Sequence, residues 1–113
     1  MPTEYDQIRI AVSLSLAVDN LRNITTLSLE ILQNRAPRHP AIFVTLACLS
    51  RWVADAWDGI PLSVQVADRV EGQLKPHLQA LLNVAGGEPA EVLVVLDAAA
   101  AAFRMSLSEG LDH

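Results

Sequence analysis

The segment 89–107, PAEVLVVLDAAAAAFRMSL, is apolar on nearly every side of a helix, and this feature constrains the fold more than any other. Pro89 suits the first turn of a helix, Glu91 puts negative charge near the positive end of the helix dipole, and the alanine run favours helix. Surface helices usually have a polar face, and here only Asp97 and Arg104 supply one. We therefore expect this helix at the centre of the molecule, surrounded by the rest of the chain.

The chain is short and rich in apolar residues. It has 113 residues, of which 51% are hydrophobic, and no segment resembles a linker. A single helical domain over residues 1–113, with a core of its own, is expected. The apolar content is high for a soluble domain of this size, which indicates surface buried against another chain. We expect a homodimer, with the long first helix contributing to the contact.

The formal charge of −5 comes mainly from the second half of the chain. Direct binding to duplex nucleic acid is not expected, because phosphate binding depends on clustered positive charge. No apolar run reaches the roughly 18–20 residues of a membrane span, since Asp97 interrupts the longest one. The N-terminus, MPTEYDQ, lacks the pattern of a secretory signal. We expect a cytoplasmic protein without membrane contact, whose acidic half favours a basic partner such as a nucleic-acid-binding protein.

The first predicted helix covers about residues 4–34. Thr3 can cap its start, with Asp6 placed for a capping box. Apolar or small residues then recur at spacings of three and four, and they are Ile10, Leu14, Ala17, Leu21, Ile24, Ser28 and Ile31. Residues 8–31 also alternate between apolar and polar, so an N-terminal β-hairpin turning at DNLRN, and with it an α/β fold, is the alternative. We favour the helix because that turn lacks glycine.

Prolines and glycines mark the remaining breaks between helices. The NRAPRHP stretch ends the first helix, and a second helix spans about residues 40–58. A third helix then runs to the Gly86–Gly87 pair, and Pro76 within it is expected to kink or split it. With the apolar segment as the last helix, the sequence predicts an all-α fold, a compact bundle of about four helices.

Residues typical of catalysis or metal binding are few. Asp55 and Asp58 are spaced to present two carboxylates to a cation, but no second acidic motif accompanies them. The histidines are not at ligand spacing to one another, and Cys48 lies in an apolar run typical of a small buried residue. The sequence has no nucleophile elbow and no glycine-rich phosphate loop. We therefore predict no catalytic residue, metal or cofactor, and an enzyme is the less favoured hypothesis.

The predicted partner-binding residues are two tryptophans and three arginines. Trp52 and Trp57 point about 140° apart on one helix, so one of them can face outward. An outward tryptophan beside Arg51 would be a typical anchor of a protein interface. Arg35 and Arg38 form a local basic patch, for which an ordinary solvated loop is the simpler explanation.

These observations favour a small non-enzymatic protein that binds and regulates or inhibits another protein through an apolar and aromatic helical patch. The alternative is a helical bundle that binds a small molecule, or a minor enzyme, with a cavity beside the alanines at residues 98–102. Asp97, inside the apolar helix, is expected to form a salt link with an arginine.

Overall fold

The computed structural model describes residues 3–59 and 63–109, with side chains as far as Arg104. This part of the chain is helical and includes no strand. Its helices are α1 (Glu4–Ser13), α2 (Val18–Asn34), α3 (Pro40–Trp57), α4 (Val64–Asn83) and α5 (Pro89–Glu109). The predicted all-α fold is confirmed, whereas the N-terminal β-hairpin is wrong. The described residues form five helices, one more than predicted, because the first predicted helix is two.

The helices pack in two layers. The most extensive contact joins α2 and α3, which are connected by a short loop and run antiparallel. Helix α4 contacts α1 and α5, and this group packs on the α2–α3 pair. The molecule measures 38 × 32 × 19 Å, and its smallest dimension corresponds to two helices packed about 8–10 Å apart.

The predicted first helix is interrupted between α1 and α2, where the chain is extended at Leu14. The Asn20 side chain stabilises this break, because its Nδ2 donates hydrogen bonds to the carbonyls of Ala11 and Ser15 at 2.8 and 2.9 Å. Asparagine is well suited to this role, since its amide competes with helical hydrogen bonds. The break also changes which face of the chain is buried, so that Leu14 of the predicted apolar seam is 54% exposed.

Helix α4 supplies two further contacts to the same break. The Glu71 carboxylate accepts a hydrogen bond from the backbone N–H of Leu16 at 2.7 Å. Lys75 donates to the carbonyl of Ser13 at 3.3 Å, and its Nζ lies 3.6 Å from the Glu71 carboxylate. Backbone groups that a continuous helix would have paired internally are therefore satisfied by side chains of another helix.

Most predicted helix ends are confirmed. Thr3 and Asp6 form the expected capping box, with both hydrogen bonds at 3.3 Å. Helix α3 starts at Pro40 and is followed by Gly59, whose φ of +73° is a conformation that glycine adopts at little cost. Pro76 does not split α4, which continues through it to Asn83.

The hydrophobic core lies between the two layers and is mainly aliphatic. Its largest fully buried apolar side chains are Phe43, Ile8, Leu21, Ile24, Ile31, Ile42, Leu46, Leu78, Leu81 and Val12. Trp57 is also part of it, with 6% of its surface exposed. Cys48 is exposed, so its predicted burial is wrong. It lies one turn after the exposed Val44, on the side of α3 opposite the core.

Helix α5 lies at the edge of the molecule, and the prediction that it is central is wrong. It contacts only α4 and α3 among the described elements. Val92 and Ala99 are buried on its inner side, whereas Leu93 and Val94 are 60% and 68% exposed. The helix thus packs on one face, although its sequence is apolar on nearly all of them.

Candidate functional site

The inner face of α5 fixes the orientation of this helix. Val92, Ala99 and Phe103 lie on one stripe of the helix, at spacings of seven and four residues, and pack on the core. The ring of Phe103 meets the ring of Trp52 on α3 edge to face, with centroids 5.0 Å apart at an angle of 81°. Such aromatic pairs have a preferred geometry, so this contact sets the rotation of α5 about its axis. Leu107, four residues after Phe103, lies outside the described side chains.

The opposite side of the helix is exposed, and we call it the outer face of α5. At about 100° per residue its members fall within an arc of about 120° centred on Asp97. They are Ala90, Leu93, Val94, Asp97, Ala100, Ala101 and Arg104, all of them exposed. All but Asp97 and Arg104 are apolar, so the helix presents to solvent a stripe of the kind that surface helices usually bury.

The exposed leucine and valine of this face favour contact with another molecule. Full burial of a leucine or valine side chain contributes about 1.5–3 kcal/mol. Leu93 and Val94 are 60% and 68% exposed, so covering the rest of both would contribute roughly 2–4 kcal/mol. Adjacent exposed apolar side chains with few charges are typical of interaction sites.

Two charges of opposite sign lie along the midline of the outer face. Asp97 and Arg104 are separated by about two helical turns, or about 10 Å along the axis. Neither side chain forms an ion pair within the part of the chain that the structure describes, so the salt link predicted for Asp97 is not made there. The residues between them on this face are Ala100 and Ala101, whose small side chains permit close approach of another helix.

The tryptophans predicted to bind a partner are placed differently. Trp57 is buried in the core, and it is therefore not an exposed anchor. Trp52 is half-buried against Phe103, so its ring already has an aromatic neighbour. Arg51 beside it is largely exposed and forms an ion pair with Asp55, four residues further along α3, at 3.7 Å. Of the three, only Arg51 and the free edge of Trp52 reach the surface.

The two loop arginines lie far from Arg51 and serve contacts within the chain. Arg38 lies in the loop before α3, and Arg51 lies about 16 Å along that helix from its start at Pro40, so these residues do not form one patch. Arg35 contacts the Glu4 carboxylate, with both Nε and Nη2 at 2.8 Å from Oε2. Arg38 donates to the carbonyl of Gly86 at 3.2 Å. The α2–α3 loop is thereby tied to α1 and to the α4–α5 loop.

The carboxylates considered for a metal ion are held by an arginine instead. Arg22 donates to Asp55 at 3.0 Å and to Asp58 at 3.1 Å. These contacts raise the pKa of Arg22, chiefly through the hydrogen bond to Asp55. Arg22 lies on α2, far from both acids in sequence, so their spacing alone did not reveal it. The described residues include no cluster of three or more potential metal ligands.

A shallow, open concavity on α4 is a poor match for the small-molecule alternative. It is lined by Asp68, Glu71, Gly72, Lys75, Pro76 and Gln79. Ligand sites are usually enclosed and mostly apolar, whereas this wall is polar and two of its side chains already bind the α1–α2 break. Ala98, Ala100 and Ala101 of the alanine run are exposed, so they do not line an enclosed cavity within the chain.

None of the described helices has the length and hydropathy needed to cross a membrane. Comparisons with protein families, curated proteins and solved structures found no match for this chain. The surface feature that bears on function is the outer face of α5, which combines exposed apolar side chains with two charges that form no ion pair among the described residues.

Proposed function

We propose that this protein is a non-enzymatic interaction protein that binds another polypeptide along the outer face of α5. The observation that carries the proposal is the exposure of Leu93 and Val94, 60% and 68%, on a face where Asp97 and Arg104 are the only charged residues among the described side chains. Burial of this face by a second polypeptide would remove apolar surface from water. By covering part of the surface of the bound polypeptide, the protein would regulate or inhibit that polypeptide.

The shape of the outer face favours a helix as the bound element. The face extends from Ala90 to Arg104, about 21 Å along the helix axis. Its alanines allow a second helix to approach at the short end of the usual 8–10 Å separation. A helix laid along a helix buries side chains spaced three and four apart, as Leu93, Asp97, Ala100 and Arg104 are.

A photo-crosslinking experiment in the native host tests this proposal. Val94 is replaced by the photoreactive residue p-benzoylphenylalanine, and Gln73, an exposed residue of α4, is replaced in the same way as the control. We expect a crosslinked product of discrete mass from position 94 and none from position 73. Introducing Leu93→Glu should abolish the product, because a charge would then enter the apolar contact.

Two outcomes would contradict the proposal. Absence of any crosslinked product from position 94 would show that the outer face of α5 stays in water. Equal products from positions 94 and 73 would show contact without preference for this face. Circular dichroism of the Leu93→Glu variant provides the folding control, since Leu93 points away from the core.

A further inference from the structure

The charges on the outer face of α5 match those of a second copy of the same helix. Asp97 and Arg104 have opposite signs and lie on the midline of the face, two turns apart. If a second α5 lies antiparallel, with the two-fold axis between Ala100 and Ala101, Asp97 of each copy faces Arg104 of the other. Both charges are then neutralised by one symmetric contact.

The charge pattern selects this register over the alternatives. A parallel pair would place Asp97 against Asp97, and like charges across an interface are unfavourable. Other antiparallel registers leave Asp97 facing an apolar side chain or another acid, which is costly when the carboxylate is removed from water. The register that pairs the charges also brings the alanines to the axis, where the two helices approach most closely.

We propose that the polypeptide bound on the outer face of α5 is a second copy of this chain, in an antiparallel helix pair held by reciprocal Asp97–Arg104 ion pairs. This inference rests on the proposed function and names the partner of that surface. Leu93 and Val94 of one copy extend the contact on one side of the axis, and by symmetry those of the other copy extend it on the opposite side. In this arrangement α5 makes the contact, whereas the sequence predicts a contribution from the long first helix.

Sedimentation equilibrium of the full chain with charge-exchange variants tests the proposal. We expect a dimer for the unmodified protein and dissociation constants raised about tenfold or more for Asp97→Arg and for Arg104→Asp, since each places like charges in contact. The double variant D97R/R104D should restore the dimer, because it exchanges the two signs without changing the pairing. Asp68→Arg, an exposed charge change on α4, is the matched control and should leave the dimer unchanged.

Disulfide trapping provides an independent measure of the register. In a Cys48→Ser background, Ala100→Cys lies next to the axis and should form an intermolecular disulfide under mild oxidation. Ala90→Cys is on the same face, but the two copies would be about 30 Å apart at that position, so it should not. Equal trapping at both positions would overturn the register.

The outcomes also separate failure of this inference from failure of the proposed function. A chain that stays monomeric at all concentrations, or a double variant as weak as the single ones, overturns the self-association. If position 94 is then crosslinked to a different polypeptide, the proposed function stands with another partner. If neither a dimer nor any crosslink forms, both are overturned.

Discussion

Replacing Glu71 with alanine tests how strongly the α1–α2 break depends on α4. Glu71 accepts a hydrogen bond from the N–H of Leu16 at 2.7 Å across 55 residues of sequence. The Leu16 side chain is buried, so its amide is poorly placed to find water once the carboxylate is gone. Alanine keeps the helical propensity of α4 and removes the carboxylate, which is both the acceptor for Leu16 and the partner of Lys75.

The expected loss of stability is about 2 kcal/mol. A hydrogen bond to a charged group contributes about 1.5–3 kcal/mol to stability, and most of this contribution is lost when the Leu16 N–H is left unpaired. The ion pair with Lys75 is partly exposed at 3.6 Å and adds at most about 0.5 kcal/mol. For a chain of this length, about 2 kcal/mol corresponds to a fall in Tm of about 8 °C.

Urea unfolding and amide exchange provide the measurement. Glu71→Ala should lower the urea midpoint with an unchanged m-value and should expose the Leu16 amide to exchange. Glu71→Gln retains an acceptor without the charge and should lose about half as much. Gln73→Ala, two residues along on the exposed side of α4, is the control and should change stability by less than about 0.5 kcal/mol. A Glu71→Ala variant as stable as that control, with Leu16 still protected, would refute the reasoning.

Two further predictions follow from single side chains. The pKa of the Glu4 carboxyl should lie below its usual 4.5, chiefly because of its backbone hydrogen bond and next because of the hydrogen bond to Arg35. The contribution of Glu4 to folding stability is therefore present above about pH 4.5 and is lost as the pH falls through the lower folded-state pKa. Carboxyl NMR should show that Arg35→Gln raises this pKa only part of the way to 4.5. A full return to 4.5 would contradict the larger role of the backbone hydrogen bond. Ser50→Ala should raise the free energy of unfolding by about 1 kcal/mol in urea titrations, because the buried Ser50 hydroxyl has no hydrogen-bond partner among the described residues. A clear loss of stability would contradict this.

Features that depend on local chemistry could be predicted from the sequence. The capping box at Thr3, the start of α3 at Pro40 and the pair of Arg51 with Asp55 each involve residues within one turn of each other. Their geometry is set by the helix itself, so residue type and short-range spacing are enough to locate them.

Features that depend on distant partners could not be predicted. A continuous helix through residues 14–17 satisfies its own backbone, and the local contacts of Asn20 are not enough to predict a break there. The break is stabilised by Glu71 and Lys75 of α4, and the acids Asp55 and Asp58 are held by Arg22 of α2. Each contact joins residues far apart in the sequence, which the spacing within one helix cannot reveal.

The position of α5 shows how one pattern can have two structural solutions. A helix that is apolar on all sides has to be covered, and the covering atoms can belong to its own chain or to another. The apolar pattern of the sequence favours the first solution, which requires α5 to be central. The described part of the chain forms two helical layers without an outer layer to surround α5, so half of the helix stays exposed. Asp97 and Arg104 lie on that exposed half. In the sequence they look like a small polar face, and in the proposed pair a symmetric partner helix would neutralise both charges.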